Sequence, residues 1–200
     1  MNLDHLPFPT YGWGYMPPQE DIYDIFRTCQ ELHQPKHVLE IGFHLGHSTT
    51  YQLECYPDAA LVSISPDNEM VKARIPEDVI DPELRRFMAR RIAKLYPDRF
   101  QWIPGKTYQL IERLLAEYAG KFDFCLLDGN HKEEHALTDF KACFDLGIPN
   151  VLVDNFDQEQ VLRAFKKSRQ YELVQEFDYT QTFKGKTSNN KMGLIRLTSL

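Results

Sequence analysis

The chain has 200 residues, 42% of them hydrophobic and 26% charged, with a formal net charge of −6. This balance is typical of one globular domain, and the acidic charge disfavours a nucleic-acid partner because phosphate backbones would be repelled. No run is apolar enough to span a bilayer, and Met1–Thr10 lacks the charged and apolar regions of a signal peptide, so we expect a cytoplasmic protein with no membrane partner.

Neither the cysteines nor the basic pairs indicate a site. The four cysteines include no CxxC pair, and Cys125 and Cys143 lie in apolar runs, which predicts buried thiols rather than a disulfide framework. The basic pairs Arg85–Arg86, Arg90–Arg91 and Lys166–Lys167 are typical of solvated helix faces.

Strand and helix patterns alternate along the first part of the chain. After an arm rich in proline, glycine and aromatic residues that ends at Pro18, acidic residues and an apolar stripe predict a helix. The elements predicted next are strand His37–Ile41, helix Thr49–Tyr56, strand Ala60–Ile64, a helical spacing from Leu84 to Leu95, strand Phe100–Ile103 and helix Tyr108–Tyr118.

The same alternation continues to the end of the chain. The predicted elements are strand Phe122–Leu127, helix Glu133–Phe144, strand Val151–Val153, helix Gln158–Arg169, and closing strands Tyr171–Tyr179 and Met192–Thr198 joined by a polar loop containing Gly185. Repeated βαβ units predict an α/β fold with a mostly parallel sheet covered on both faces. We expect residues 1–200 to form a single domain, with an N-terminal arm and helix over 1–34.

Polar and glycine residues gather where the predicted parallel strands end. In such sheets, ligands bind beyond the carboxyl ends of the strands. The informative segments at those ends are Glu40–Ser48, Ser65, Gly105–Thr107, Asp128–His131 and Asp154–Asn155. The sequence therefore predicts a single binding site at this edge.

The loop after the first strand carries two glycines. Gly42 allows a sharp turn and Gly46 a close approach of the next helix, so that backbone amides reach a ligand. The spacing is not the GxGxxG of dinucleotide dehydrogenases. Glu40 suits a cationic group such as the amino group of a bound amino acid, although a plain strand-to-helix turn would carry the same glycines.

The segment Val38–Ser48 resembles the first motif of class I S-adenosylmethionine-dependent methyltransferases. It is most similar to the branch of catechol O-methyltransferase-like enzymes and bacterial sugar and macrolide O-methyltransferases, over roughly Gln19–Leu197. The resemblance implies a Rossmann-like three-layer α/β/α sandwich whose seven-stranded sheet has its last strand antiparallel. A homodimer is compatible with this resemblance.

The resemblance also implies which residues contact S-adenosylmethionine. The methionine part would contact Glu40, Gly42, Phe43, Gly46 and Ser48, and the adenine would contact Gly105 and Thr107. Asp128 would lie between the cofactor and a cation. The acid that binds the ribose in this family is replaced by Ser65, which lacks the paired oxygens of a carboxylate, so Asp67 is the alternative ribose ligand.

Acidic and amide side chains follow two adjacent strands. Asp128 ends the fourth strand, and Asp154 and Asn155 end the fifth. Carboxylate and amide oxygens are the ligands of Mg²⁺ or Ca²⁺, and all three positions match the metal site of divalent-cation-dependent O-methyltransferases. The alternative is that both acids cap the helices that follow.

His131, three residues after Asp128, is a candidate general base. Histidine titrates near neutral pH and accepts a hydroxyl proton, and the resemblance implies a base at this offset. His131 and His135 also have the spacing of zinc ligands on a helix, but Lys132–Glu134 between them is typical of a solvated helix start. A surface role for His131 is the remaining alternative.

The sequence thus predicts methyl transfer to a hydroxyl of a small molecule, assisted by a divalent cation. A nucleic-acid methyltransferase is a rival, although Asp128–His131 replaces the Asn/Asp-Pro-Pro-aromatic motif of the amino-methylating enzymes. A non-catalytic or metal-independent relative stays open because of Ser65. A dehydrogenase is a more distant alternative.

Overall fold

A seven-stranded sheet forms the centre of the computed structural model, which describes residues 20–66, 82–183 and 186–198. The strands are β1 (His37–Ile41), β2 (Ala60–Ser65), β3 (Phe100–Pro104), β4 (Phe124–Leu127), β5 (Asn150–Val153), β6 (Tyr171–Phe183) and β7 (Lys186–Leu197). The helices are α1 (Glu20–His33), α2 (His47–Cys55), α3 (Pro82–Leu95), α4 (Thr107–Tyr118), α5 (Glu133–Asp145) and α6 (Glu159–Ser168).

The strand order is β3-β2-β1-β4-β5-β7-β6. Strands β1 to β5 pair in parallel, whereas β7 runs antiparallel to both β5 and β6. This topology confirms the predicted Rossmann-like fold with an antiparallel last strand. The order reverses direction between β1 and β4, which places a ligand crevice at their carboxyl ends.

Side chains alternate across the sheet and build a core on each face. On β1, Val38 packs with α1, α2 and α3, whereas Leu39 packs with the opposite layer of α4, α5 and α6. On β4, Phe124 and Cys125 divide in the same way. Because strand side chains point to opposite faces in turn, these strands are apolar throughout.

Most element bounds agree with those predicted, and the main difference is in the closing hairpin. Residues 180–183 and 186–191, predicted as part of the loop between the closing strands, instead belong to β6 and β7, which pair as far as Phe183 and Lys186. The run Thr187–Asn190 is polar throughout, which is typical of a loop in sequence. It lies beyond the part of β7 that pairs with β5, so it pairs with β6 alone and residues 187–189 stay exposed. The arm over 1–18 and Asp67 lie outside the described residues.

The described ranges contain no helix that is both long and apolar enough to cross a membrane.

Cys125 and Cys143 are fully buried free thiols, as predicted. Arg85 is a correction, because only 2% of it is exposed. Its guanidinium donates to the backbone carbonyls of His44 and Pro66, which replace the water that the sequence predicts around it.

An aromatic cluster fixes the loop between β1 and α2 to the core. The ring of Phe43 lies 5.9 Å from that of Phe100 and 5.7 Å from that of Trp102, measured between ring centroids. Gly46 has φ +84°, and a Cβ placed on it would lie 2.4 Å from Ile92 Cδ1 and 2.8 Å from Phe43 Cε2. The absence of a side chain at Gly46 therefore allows α2 to pack onto this cluster.

We predict that Gly46→Ala lowers the free energy of unfolding by about 2–4 kcal/mol, since overpacking adds to the strain of a positive φ. Gly120→Ala is the matched control, because Gly120 has φ +67° but no atom within 4 Å of its added Cβ. Urea unfolding of both variants measures the difference. Equal losses would show that packing at Gly46 contributes nothing.

Candidate functional site

A cavity of about 840 Å³ opens at the carboxyl ends of β1 to β4. This volume is in the range of small-molecule and cofactor sites. Of the residues predicted to bind the cofactor, five line its wall: Gly42, Ser65, Gly105, Thr107 and Asp128. The candidate base His131 and the buried Arg85 also line it.

Backbone contacts between strand ends form the floor of the cavity. The Asp128 amide donates to the Ile41 carbonyl at 2.8 Å, and the Gly42 amide donates to the Ile64 carbonyl at 2.9 Å. Gly42 has φ +117°, and a Cβ on it would lie 1.9 Å from the carbonyl oxygen of Asp128. Only glycine allows the two loops to approach this closely.

Glu40 lies beneath this floor and is fully buried. Its carboxylate accepts hydrogen bonds from Ser48 Oγ at 2.7 Å and Gln52 Nε2 at 3.0 Å, and also from the hydroxyls of Thr49 and Ser63. Burial raises the pKa of this carboxyl, and the four donors counteract that rise. The carboxylate thus ties β1, β2 and the start of α2 together.

Four of the residues predicted to bind the methionine part of the cofactor lie behind the cavity wall, and their role in binding stays a prediction. Glu40, Phe43, Gly46 and Ser48 do not line the cavity. The Glu40 carboxylate is already occupied by donors from within the chain, the Phe43 ring belongs to the aromatic core, and the Cβ position of Gly46 faces that core. These residues shape the loop from behind, and Gly42 is the one of the five predicted methionine contacts that lines the cavity.

At the end of β2, Ser65 lines the cavity and its hydroxyl accepts a hydrogen bond from Trp102 Nε1 at 3.2 Å. Buried Arg85 and half-buried His44 lie on the same wall. Burial, with Arg85 and His47 nearby, lowers the pKa of His44 to about 3, so its imidazole is neutral. The ribose contact proposed for Ser65 stays a prediction.

The loop after β3 brings Gly105 and Thr107 to the cavity, as the sequence predicts. The Gly105 amide donates to the Ser65 carbonyl at 2.9 Å, which continues the sheet ladder into the loop. Thr107 is the first residue of α4 and is buried. Its side chain hydrogen-bonds Asp139, an acid on α5 that also lines the cavity.

Two acids and a histidine meet at the ends of β4 and β5. Asp128, His131 and Asp154 each present a ligand atom, and these atoms lie within 4.8 Å of one another. His131 Nε2 lies 3.6 Å from Asp128 Oδ1 and is buried without a hydrogen-bond partner among the described residues. Asp154 is only 3% exposed.

The charges in this cluster perturb one another. Burial, and then the negative charge of Asp154, raises the pKa of Asp128 to about 8, while His131 acts in the opposite direction. Burial lowers the pKa of His131, but the nearby carboxylates of Asp128 and Asp154 outweigh this, so the net shift is upward. The cluster therefore holds two carboxylates close together with too little positive charge beside them to balance both.

Asp154 is held by two donors from the far side of the cluster. Tyr179 on β6 donates to Asp154 Oδ1 at 2.6 Å, and the Asn155 amide nitrogen donates to Oδ2. The Asn155 amide oxygen accepts from Gln158. The structure thus brings His131, rather than the Asn155 oxygen, into the acid cluster, and the metal-ligand role of Asn155 stays a prediction.

Three cavity or cluster residues were missed in the sequence. Asp139 had a readable signal, because it interrupts the apolar stripe of Ala136, Phe140 and Cys143 on α5. Tyr179 and Arg85 had none. Their partners lie 25 and 41 residues away in the chain, so only the fold reveals them.

Comparison with known proteins identifies the family model that the chain matches. The model described as "Methyltransferase domain" matches residues 39–156, which run from the middle of β1 to just past β5 and include most of the residues that line the cavity. A search of curated protein sequences finds no match.

Solved structures share the fold at low sequence identity. The O-methyltransferase TomG from Streptomyces achromogenes, in complex with S-adenosylmethionine, is 18% identical over 88% of this chain and 79% of that one, with a TM-score of 0.62. An O-methyltransferase from Bacillus cereus, in complex with S-adenosylhomocysteine, is 14% identical over 88% and 80%, with a TM-score of 0.63. Podospora anserina PaMTH1, also bound to S-adenosylhomocysteine, is 18% identical over 88% and 78%, with a TM-score of 0.56.

We predict that Glu40→Gln lowers the free energy of unfolding by about 1–3 kcal/mol, because an amide has one accepting oxygen for four donors. Glu31→Gln, an exposed acid on α1, is the control and is expected to leave stability unchanged. Urea denaturation gives both values. Stability of Glu40→Gln equal to that of the wild type would contradict the anchoring role.

Proposed function

The chain belongs to the methyltransferase-domain family, and from that premise we propose that it transfers a methyl group from S-adenosylmethionine to a hydroxyl group of a small molecule. The observation that carries the proposal is the cavity itself. It lies at the carboxyl ends of β1 to β4, and its floor is the contact between Gly42 and the Asp128 backbone.

The cofactor part of the proposal is supported by position and by relatives. TomG and the Bacillus cereus protein share this fold and hold S-adenosylmethionine or S-adenosylhomocysteine. In this chain, Gly42, Ser65, Thr107 and Asp128 line one cavity of about 840 Å³, a volume in the range of cofactor sites. S-adenosylmethionine supplies, when bound, a methyl group on a positively charged sulfur.

A divalent cation fits the acid cluster, and we propose Mg²⁺, with Ca²⁺ as the alternative. Asp128 and Asp154 offer hard oxygen ligands, and the unpaired buried nitrogen of His131 faces the same point. Asn155 is the proposed third ligand, and it would have to turn its amide oxygen away from Gln158. A bound cation would lower the pKa of an acceptor hydroxyl.

His131 is the proposed base for the acceptor hydroxyl. It lines the cavity beside Asp128, and its Nε2 is free to receive a proton. The Asp128 carboxylate, with Oδ1 3.6 Å from Nε2, stabilises the imidazolium that forms when Nε2 takes the proton. Alignment of the acceptor oxygen with the methyl group supplies the remaining rate enhancement.

Two other functions stay as alternatives. A metal-independent methyltransferase is favoured by one observation, since a protonated His131 would itself offset one of the two negative charges of the acids. A nucleic-acid methyltransferase is disfavoured because acids line the cavity and the chain has a net charge of −6. Both would repel a phosphate backbone.

Calorimetric titration with S-adenosylhomocysteine tests the cofactor proposal, and we predict binding to the wild type. Gly42→Ala should lose this binding, because its Cβ would push apart the loops that form the cavity floor. Gly147→Ala is the control, since Gly147 also has a positive φ but open space around it. No heat with millimolar ligand, or normal binding by a folded Gly42→Ala protein, would contradict the proposal.

Thermal unfolding with and without MgCl₂ tests the cation. We predict that millimolar Mg²⁺ raises the Tm of the wild type, because a ligand stabilises the state that binds it, and that Asp154→Asn abolishes this rise. Glu134→Gln removes an exposed acid from α5 and should retain the full effect. A Tm that is indifferent to Mg²⁺ and Ca²⁺ would leave the metal-independent alternative.

The base is tested with an acceptor found by screening catechols and sugar-bearing small molecules. We predict that His131→Ala lowers turnover by about 10²–10⁴-fold, the usual contribution of general acid–base catalysis, while S-adenosylhomocysteine still binds. His135→Ala, one helical turn further along the cavity wall, is expected to change turnover by far less. Similar rates for His131→Ala and the wild type would exclude this base.

A further inference from the structure

Tyr179 is a buried phenol beside the acid cluster, and the reaction described above assigns it no role. Only 2% of it is exposed, and its hydroxyl donates a hydrogen bond of 2.6 Å to Asp154 Oδ1. Tyr179 lies on β6, whereas Asp154 follows β5 and Asp128 follows β4. Because the strand order is β4-β5-β7-β6, Tyr179 reaches Asp154 from the side opposite to Asp128.

The backbone around Asp154 is fixed on both sides. The Asp154 amide donates to the Leu127 carbonyl of β4 at 2.9 Å. Two residues later, the Phe156 amide donates to the Lys191 carbonyl of β7 at 2.8 Å. The freedom that remains to Asp154 is the rotation of its side chain, and the hydrogen bond from Tyr179 restricts that rotation.

The two oxygens of the Asp154 carboxylate have different partners. Oδ1 accepts from Tyr179, and Oδ2 accepts from the Asn155 amide nitrogen. The cation site proposed above requires the Asn155 amide to turn, and that turn removes the donor from Oδ2 alone. Asp154 then offers the cluster one oxygen, because the phenol still holds the other toward β6.

Mg²⁺ and Ca²⁺ use carboxylates differently. Ca²⁺ takes about six to eight oxygen ligands in a flexible geometry and binds carboxylates through one or both oxygens, whereas the smaller Mg²⁺ demands a near-ideal octahedron. A carboxylate that presents one oxygen from a fixed backbone suits Mg²⁺ better. Resting on the cation site of the proposed function, we propose that Tyr179 is a positioning residue that limits Asp154 to one ligand oxygen and so selects Mg²⁺ over Ca²⁺.

A purely structural role for Tyr179 makes a different prediction. If its hydroxyl only stabilises the fold, its loss lowers stability and weakens the binding of both ions by the same factor. If it limits Asp154 to one oxygen, its loss lets the carboxylate turn and present both oxygens, which strengthens Ca²⁺ binding relative to Mg²⁺ binding. The ratio of the two dissociation constants therefore separates the two roles.

Calorimetric titrations with MgCl₂ and with CaCl₂ measure this ratio. We expect the wild type to bind Mg²⁺ more tightly than Ca²⁺, and Tyr179→Phe to lower this preference by about tenfold, a typical effect of removing a partner of a metal ligand. Tyr171→Phe is the matched control. Tyr171 is buried at the opposite end of β6, where its hydroxyl donates to the Ile148 carbonyl at 3.2 Å, so its loss should leave the preference unchanged.

Equal or tighter binding of Ca²⁺ by the wild type would overturn the assignment without any variant. An unchanged preference in Tyr179→Phe, or an equal loss of preference in Tyr171→Phe, would overturn it as well. If the wild type bound neither ion, the proposed cation site would fail and this inference with it, whereas binding of both ions without discrimination would contradict the role of Tyr179 alone.

Discussion

The close approach of Gly42 to the backbone of Asp128 is the constraint on which the cavity depends. With φ +117° and no side chain, Gly42 lets the loop after β1 lie directly on the carbonyl of the loop after β4. The same two loops are joined by the Asp128 amide and the Ile41 carbonyl. Because β1 and β4 are neighbours where the strand order reverses, this contact sets where every residue of the site lies.

Polar anchors hold the site from behind, and few of them touch the cavity. Glu40 fixes the start of α2 through four donors, and Tyr179 holds Asp154 against the cluster. Buried charges of this kind need full sets of partners, and both carboxylates have partners on each oxygen. The cluster of Asp128, His131 and Asp154 differs, because a buried nitrogen lacks a partner and two like charges lie close together.

The fold and the edge of the sheet that holds the site could be predicted from the sequence. Apolar strands ending in Glu40–Ser48 and Asp128–His131 are local patterns, and parallel topology places their ends together. The roles of single residues depend on long-range packing. Ser63 reaches Glu40 from 23 residues away, and the direction in which Phe43 or Gly46 faces is set by α3. The motif therefore located a loop that lines the cavity, whereas the direction in which each of its side chains faces depends on the fold.

The surroundings of buried charged side chains were the features that were hardest to predict from the sequence. Arg85 looked solvated because its neighbours in the sequence are polar, yet loop carbonyls surround it in the fold. The Asp139 carboxylate lies against Gly129, a glycine ten residues earlier in the chain.

A crystal structure of the protein soaked with S-adenosylhomocysteine and Mg²⁺ tests the central claim most directly. The account predicts a nucleoside along the wall from Ser65 to Thr107, its amino acid part over Gly42, and a cation between Asp128 and Asp154. A ligand bound elsewhere, or a cavity left empty at saturating ligand, would contradict it.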